Sequence, residues 1–276
     1  MGIDVHDFTS VRWTGLMTLY GRALDSRAPV SVLHDDMADD LVGRIDYDFA
    51  ALRVDSLVWA IAVRAKRHDD VVRAFLEAHP DAVVVDLGAG LDTRMHRLAP
   101  PSTVDWYDVD FPDVVELRAG LFPADPRAHV VGADIREPGW LTGIPADRPT
   151  IVVADGLAAW FSDAEVRSLL TRLTDHFASG EIVFNEYGRM PAAEAWVGRH
   201  YGPPMLRAAV SASPYKGFDD PRLPERWIPR LRLVQELSTS RAPEVALLPP
   251  FMRAVFRLSA RSERTFRKTR ILHYRF

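Results

Sequence analysis

Two glycines and an aspartate stand where a ligand could be held at the end of an α/β sheet. Residues 82–85 form a short apolar run with β-branched side chains, and Asp86-Leu87-Gly88-Ala89-Gly90 follows it directly. Glycines at a strand end allow the backbone to approach a bound group closely. Asp110 lies 20 residues beyond Gly90, at the end of the next apolar run. A carboxylate there can accept hydrogen bonds from both hydroxyls of an adenosine ribose.

A third strand end adds to this pattern. Residues 129–132 form another apolar run, and Asp134 and Ile135 come directly after it. An acidic side chain beside a backbone N–H could recognise the edge of an adenine ring. A structural explanation of Asp110, as a helix N-cap before Pro112, stays open. The order of the three strand ends nevertheless predicts a nucleoside-containing cofactor.

The residue two positions after Gly90 discriminates between cofactors. Dinucleotide-binding folds usually carry a third glycine near this point, where the helix N-terminus meets a pyrophosphate, but here the position holds Asp92. An acid is unfavourable beside an anionic pyrophosphate and compatible with the ammonium or sulfonium of S-adenosylmethionine. The charge therefore favours S-adenosylmethionine over NAD. An NAD-dependent oxidoreductase and a non-catalytic nucleoside-binding module remain as alternatives, and the absence of Gly-x-x-x-x-Gly-Lys-Ser/Thr excludes a P-loop.

Helical and strand patterns alternate on both sides of these residues. Alternation of this kind predicts a Rossmann-like, doubly wound α/β fold with a mostly parallel sheet of about seven strands. Besides 82–85, strands are predicted at 104–109, 129–132, 151–154, 181–185, 231–237 and 269–275, and helices at 11–24, 35–44, 52–78, 111–120, 163–176 and 249–259.

The same patterns divide the chain into four segments. Residues 1–52 are predicted to form an N-terminal helical cap, and residues 53–186 the cofactor-binding α/β core. Residues 187–228 are rich in Pro, Gly, Trp and Tyr, and are interpreted as an inserted substrate lid. Residues 229–276 supply the last strands of the core.

Composition excludes several classes of protein. The 276 residues are 47% hydrophobic and contain no cysteine, which excludes disulfides, Cys-ligated metals and thiol catalysis. The net charge of −4 argues against a general nucleic-acid binder. The longest strongly apolar stretch, 57–63, is far shorter than the roughly 20 residues of a membrane span. We therefore expect a cytoplasmic monomer or homodimer that binds neither nucleic acid nor membrane.

Two His-Asp-Asp segments, 34–36 and 68–70, resemble fragments of metal or catalytic sites. Their spacing matches no known ligand pattern, so both are interpreted as exposed helix ends. No metal site is predicted.

Four stretches of the sequence together resemble the leucine carboxyl methyltransferase family: VVDLGAGLDTR, YDVDFPDVVELR, the ADI after the third strand and DGLAAWF after the fourth. The match is nearest to the bacterial branch that includes the tetracenomycin-type polyketide carboxyl O-methyltransferases, and TGLMTLYGRALDSRAPV and IDYDF are similar to that branch too. The resemblance implies a class I S-adenosylmethionine-dependent O-methyltransferase of a small polyketide-like acid. It is sharp over residues 10–160 and fades in the lid.

The resemblance also implies roles for individual residues. Gly88 and Gly90 would line the methionine moiety of the cofactor, and Asp110 would hold the ribose. Asp134 and Ile135 would contact the adenine. Arg64 would pair with the cofactor carboxylate. The predicted cofactor site is completed by Asp86, Asp155 and Gly156.

The acceptor side is less defined, and no catalytic residue is assigned. Candidates for the substrate pocket are Tyr20, Arg22, Glu186, Tyr187 and His200. A carboxylate acceptor, with a pKa near 4, is already ionised and needs no general base. A phenol, with a pKa near 10, would need one, and His200 in the predicted lid is the candidate.

Overall fold

The computed structural model describes residues 3–4, 10–188, 200, 214–268 and 270–276. A short parallel pair, β1 (Ile3–Asp4) with β2 (Ile45–Asp46), lies apart from the main sheet. The main sheet has seven strands in the order β5-β4-β3-β6-β7-β9-β8. Their bounds are β3 (Val83–Leu87), β4 (Asp105–Asp110), β5 (Ala128–Gly132), β6 (Thr150–Ala154), β7 (Gly180–Glu186), β8 (Arg232–Ser238) and β9 (Arg270–Arg275).

Strands β3 to β7 are parallel, and β9 is antiparallel to both β7 and β8. The strand order reverses at β3, which lies between β4 and β6. Ligands of open α/β sheets bind at the carboxyl ends of the strands beside such a reversal. The predicted doubly wound, mostly parallel sheet of about seven strands is confirmed.

The central strands are apolar because both of their faces are covered. Every residue of β3 and β6 is buried. Val83, Val85 and Leu87 pack on one face of the sheet in the same cluster as α6, while Val84 packs on the other with Trp106. Continuous burial explains why these strands form unbroken apolar runs in the sequence, with no polar residue at every second position.

Nine α-helices are described. They are α1 (Ser10–Ser26), α2 (Asp36–Arg44), α3 (Val58–Ala78), α4 (Arg94–Leu98), α5 (Pro112–Leu121), α6 (Asp163–His176), α7 (Leu223–Trp227), α8 (Pro250–Ser259) and α9 (Glu263–Lys268). The α6 N-terminus carries a capping box, in which Ser162 and Glu165 satisfy each other's backbone N–H groups.

One predicted helix boundary is wrong. The helix expected over 52–78 begins only at Val58, and a separate 3-10 turn covers Phe49–Leu52. Arg53 ends that turn in a left-handed conformation with φ of 49°, which a continuous helix cannot contain. The apolar spacing over 52–57 arises because Leu52 and Val54 are buried without being helical.

The two N-terminal helices are packed against the core. Leu16, Leu19 and Leu41 from α1 and α2 share one apolar cluster with Leu91, the residue that follows the second glycine of the sequence motif. The cofactor turn predicted after β3 is therefore covered by the N-terminal helices.

Most of the predicted lid, at 189–199 and 201–213, lies outside the described residues. Its described end contains α7 and the buried Phe218. Among the helices of the described residues, none combines the length and the apolar character that a membrane crossing requires.

Candidate active site

The turn after β3 is shaped by two glycines in left-handed conformations. Gly88 has φ of 65° and Gly90 has φ of 50°, values that residues with a Cβ atom rarely adopt. The Gly88 N–H donates to the Val109 carbonyl at 2.8 Å. The turn thus crosses from the end of β3 to the end of β4, and both of its glycines are half-buried.

Asp110 joins this turn directly. Its Oδ2 accepts a hydrogen bond from the Gly90 N–H at 2.7 Å, and its Oδ1 accepts one from the Phe111 N–H at 2.7 Å. Burial raises the pKa of the Asp110 carboxyl, and these two backbone donors oppose the rise. The carboxylate is therefore fixed between the two strand ends, with lone pairs left over for a ligand hydroxyl.

The third strand end lies on the same edge of the sheet. The Ala133 N–H donates to the Asp110 carbonyl at 2.8 Å, which brings Asp134 and Ile135 beside the end of β4. The Asp134 carboxylate is partly exposed and ion-paired with Arg136 at 2.6 Å, while Ile135 is buried. The pairing lowers the pKa of Asp134, so the group is ionised.

The end of β6 completes this edge. Arg64 Nε, from α3, lies 2.6 Å from Asp155 Oδ1. Gly156 is in a left-handed conformation with φ of 84°, and its N–H donates to Asn185 Oδ1 at 2.6 Å. Leu157 then lies over Gly88: a Cβ atom built on Gly88 would meet Leu157 Cδ1 at 3.0 Å. The predicted cofactor residues on β3, β4, β5, β6 and α3 thus meet at one edge.

The charged side chains at this edge pair with one another. Arg64 Nε and Asp155 Oδ1 contact each other, and Arg94 Nη2 lies 3.0 Å from Asp92. A guanidinium beside a carboxylate can meet a ligand that carries both signs of charge, as the amino acid end of S-adenosylmethionine does.

Beneath the turn, Arg94 is enclosed by carboxylates. Its side chain is 1% exposed; Nε lies 2.9 Å from Asp69, Nη1 2.5 Å from Asp86, and Nη2 3.0 Å from Asp92. Burial raises the pKa of Asp86 to about 7, and the charge of Arg94 opposes that rise. The Asp86 carboxylate contacts the Arg94 guanidinium, so Asp86 is connected to the turn through Arg94.

The interpretation of the two His-Asp-Asp segments as exposed helix ends is wrong for three of their residues. Asp35 is 1% exposed, His68 is fully buried and Asp69 is 2% exposed. Asp35 accepts hydrogen bonds from Thr93 Oγ1 at 2.6 Å and from Arg97 at 2.9 Å, and Asp69 lies 2.9 Å from Arg97 Nε. Both aspartates were expected in solvent because their partners are distant in sequence.

These side chains form one buried ion network. Its described members are five carboxylates and four guanidinium groups, which leaves a formal excess of one negative charge: Asp35, Asp69, Asp86, Asp92 and Asp155 with Arg22, Arg64, Arg94 and Arg97. The ionisation of Asp86, whose pKa burial raises to about 7, sets whether the network carries that excess at neutral pH.

The predicted acceptor-side residues have different surroundings in the structure. Tyr20 packs its ring against Phe49 at 5.4 Å between centroids. Arg22 is buried and contacts Asp35 and the Leu91 carbonyl. Tyr187 is half-buried beyond the end of β7, and His200 is exposed.

Glu186 is fully buried at the end of β7. Its carboxylate lies 2.5 Å from Arg270 Nε and accepts a hydrogen bond from Tyr215 Oη at 3.0 Å. Burial raises the pKa of Glu186, and Arg270 opposes the rise. A contact between any of these five candidates and an acceptor stays a prediction.

Sequence reasoning missed Arg94, Arg97, Arg118 and Asn185. Arg118 donates to the Gly90 carbonyl at 2.8 Å and to the Asp92 carbonyl at 3.0 Å, so it holds the turn from α5. For Arg118, the sequence offers one signal: an arginine between Leu117 and Leu121 in an otherwise apolar helix face. A single arginine of that kind does not identify its acceptor.

Comparisons with known proteins agree with this geometry. Residues 15–174 match the family described as leucine carboxyl methyltransferase. The tetracenomycin polyketide synthesis O-methyltransferase TcmP of Streptomyces glaucescens is 38% identical over 239 residues, covering 86% of each chain. The S-adenosyl-L-methionine-dependent methyltransferase dpfgK of Gibberella zeae is 32% identical, covering 81% of this chain and 80% of its own.

A solved structure shows the same fold. A protein of Thermobifida fusca YX, described as a candidate methyltransferase, superposes with a TM-score of 0.55 at 18% identity, covering 92% of this chain and 93% of its own. The family match spans more than half of the chain, and it excludes the NAD-dependent alternative. The chain belongs to the leucine carboxyl methyltransferase family and is an S-adenosylmethionine-dependent methyltransferase.

Proposed function

We propose that the protein transfers a methyl group to a carboxylate oxygen of a small polyketide-like acid. The observation that carries this proposal is the convergence of Gly90, Asp110, Arg64 and Asp155 at one sheet edge. The acceptor class is supported by the similarity to TcmP, whose name gives it a role in tetracenomycin polyketide synthesis. A hydroxyl acceptor is the second candidate.

Eight residues would line the cofactor. Gly88 and Gly90 leave room for the methionine chain, and the lone pairs of Asp110 accept from the ribose hydroxyls. Arg64 pairs with the cofactor carboxylate, and Asp155 accepts from the ammonium. Asp134 and Ile135 border the adenine. Gly156, in a left-handed conformation, would border the cofactor beside Arg64.

When bound, S-adenosylmethionine supplies a methyl group on a positively charged sulfur. An acceptor carboxylate oxygen forms the new bond to the methyl carbon while the sulfur–carbon bond breaks, and no proton has to move. The protein then needs to align the acceptor and exclude water, which can contribute roughly 7–11 kcal/mol in well-oriented reactions. This mechanism does not require a histidine base at the sheet edge, and His68 is buried beneath it.

A product assay separates the two acceptor classes. The protein is incubated with S-adenosylmethionine and candidate polyketide acids, and mass spectrometry detects a product that gains one methylene. We expect the product to release methanol under mild alkaline hydrolysis, because a methyl ester is cleaved under conditions that leave an aryl methyl ether intact. A product that resists hydrolysis would assign the reaction to a hydroxyl group. Absence of any product, with the cofactor bound, would favour a non-catalytic module.

The Arg64 assignment predicts a loss of affinity that depends on the cofactor carboxylate. Arg64→Gln is expected to weaken S-adenosylmethionine binding at least about tenfold, because a charge-assisted pair contributes roughly 1.5–3 kcal/mol. Binding of 5′-methylthioadenosine, which has no carboxylate, should change by less than about twofold. Calorimetry with both ligands measures the difference. Lys66→Gln, on the same helix, is the control, and equal losses for both ligands would contradict the assignment.

A further inference from the structure

The N-terminal helices contact the cofactor turn through one buried arginine. Arg22, on α1, is 3% exposed. Its Nη2 donates to the Leu91 carbonyl at 2.7 Å, and its Nε donates to Asp35 Oδ2 at 3.0 Å. A guanidinium group presents its donors in a rigid plane, so two simultaneous bonds fix both acceptors relative to α1.

Asp35 continues the contact from α2 to the other end of the turn. It caps α2 by accepting from the Ala38 N–H, and it also accepts from Thr93 Oγ1 at 2.6 Å. Arg97 Nη1 lies 2.9 Å from the same carboxylate. Asp35 therefore ties the start of α4 to the arginine that holds Leu91.

The opposite side of the turn is held from α5. Arg118 donates to the carbonyls of Gly90 and Asp92, the two neighbours of Leu91. Three consecutive carbonyl groups thus accept hydrogen bonds from buried guanidinium groups, two from one side and one from the other. The orientation of a carbonyl fixes the peptide plane to which it belongs, and hence the N–H groups of the same turn.

We propose that Arg22 is a positioning residue for methyl transfer, which makes the N-terminal helices a working part of the cofactor site. It holds the Leu91 carbonyl, and through it the conformation of residues 88–92 against which the methionine end of the cofactor lies. The inference rests on the proposed placement of the cofactor beside Gly88 and Gly90. The acceptor contact predicted for Arg22 from the sequence stays a prediction beside this role; in the structure the guanidinium donates to Asp35 and to the Leu91 carbonyl.

The test compares two variants that destabilise the same N-terminal cluster in different ways. Arg22→Met removes the hydrogen bonds to the Leu91 carbonyl and to Asp35. Leu41→Ala removes apolar volume from a fully buried position whose side chain makes no hydrogen bond. Both are measured well below their unfolding temperatures, so that only folded protein is titrated. We expect Arg22→Met to raise the Kd for S-adenosylmethionine at least about tenfold and Leu41→Ala to leave it within about twofold.

A second readout does not depend on the cofactor. Hydrogen exchange followed by mass spectrometry, on a peptide that covers residues 87–93, should be faster in ligand-free Arg22→Met than in Leu41→Ala. Arg22→Lys keeps the charge but can reach one acceptor at a time, and is expected to give an intermediate Kd. It also serves if Arg22→Met does not fold.

The outcomes are separable. Equal Kd and equal exchange in the arginine variants, wild type and Leu41→Ala would overturn the positioning role. If exchange is faster in Arg22→Met but the wild-type protein binds no S-adenosylmethionine, the contact between Arg22 and the turn is supported and the cofactor placement is contradicted. Arg27→Met, one residue after the end of α1, removes an exposed ion pair with Asp39 and is the charge-matched control expected to change neither readout.

Discussion

The Asp110→Ala variant is expected to bind S-adenosylmethionine about 100-fold more weakly than the wild-type protein. The expected loss has a simple origin: two hydrogen bonds from ribose hydroxyls to a buried carboxylate contribute roughly 1.5 kcal/mol each, and 1.4 kcal/mol corresponds to a factor of ten. The carboxylate is pre-positioned for this role, because the Gly90 and Phe111 N–H groups fix it at 2.7 Å each. Calorimetry on ligand-free protein gives the affinity directly.

Two further variants make the result specific. Asp110→Asn keeps the size of the side chain and one acceptor oxygen, so an intermediate loss of about tenfold is expected. Asp113→Ala removes one negative charge from the first turn of α5, three residues further along the chain, and should leave the affinity within about twofold. Unchanged affinity in Asp110→Ala, with the thermal unfolding profile intact, would remove the ribose assignment.

The sheet was predictable because its strands carry a strong local pattern. Strands buried on both faces, such as β3 and β6, are continuous apolar runs, and the turn after each is marked by glycine. Because parallel strands end on one side of a sheet, the sequence predicts that Gly90 and Asp110 lie close together. Their contact at 2.7 Å confirms that step of the reasoning.

The buried ion network was not predictable, because its pairs are distant in sequence. Asp35 and Thr93 are 58 positions apart, and Asp69 and Arg94 are 25 apart. A carboxylate near a helix end has the same local pattern whether it faces water or a guanidinium from another element. Only the tertiary structure supplies the partner.

The second large effect concerns Arg94 and the stability of the fold. Arg94→Met is expected to lower the free energy of unfolding by about 3–5 kcal/mol, the usual cost of leaving buried charges without their partner. Such a loss is a large share of the roughly 5–15 kcal/mol that stabilises a typical domain. Urea unfolding followed by circular dichroism measures it. Arg73→Met removes an exposed pair with Asp70 on α3 and should cost less than about 1 kcal/mol.

The loss in Arg94→Met should also depend on pH, in a direction set by Asp86. Burial raises the pKa of Asp86 to about 7, above its value in the unfolded chain, and Arg94 is the main group that opposes the rise. A carboxyl with a raised pKa in the folded state costs stability as pH increases through the interval between the two pKa values. Without Arg94, the pKa of Asp86 in the folded state is higher still. The loss of unfolding free energy caused by Asp86 then continues to grow at pH values where the same loss in the wild-type protein is already constant.

The difference in unfolding free energy between wild type and Arg94→Met is therefore expected to be larger at pH 8.5 than at pH 6. Asp86→Asn in the Arg94→Met background removes the ionisable group, and the double variant should be more stable than Arg94→Met alone at pH 8.5. A double-mutant cycle at both pH values isolates the coupling between the two side chains. A difference that stays constant with pH, or a double variant no more stable than the single one, would show that another group among those enclosing Arg94 dominates the effect.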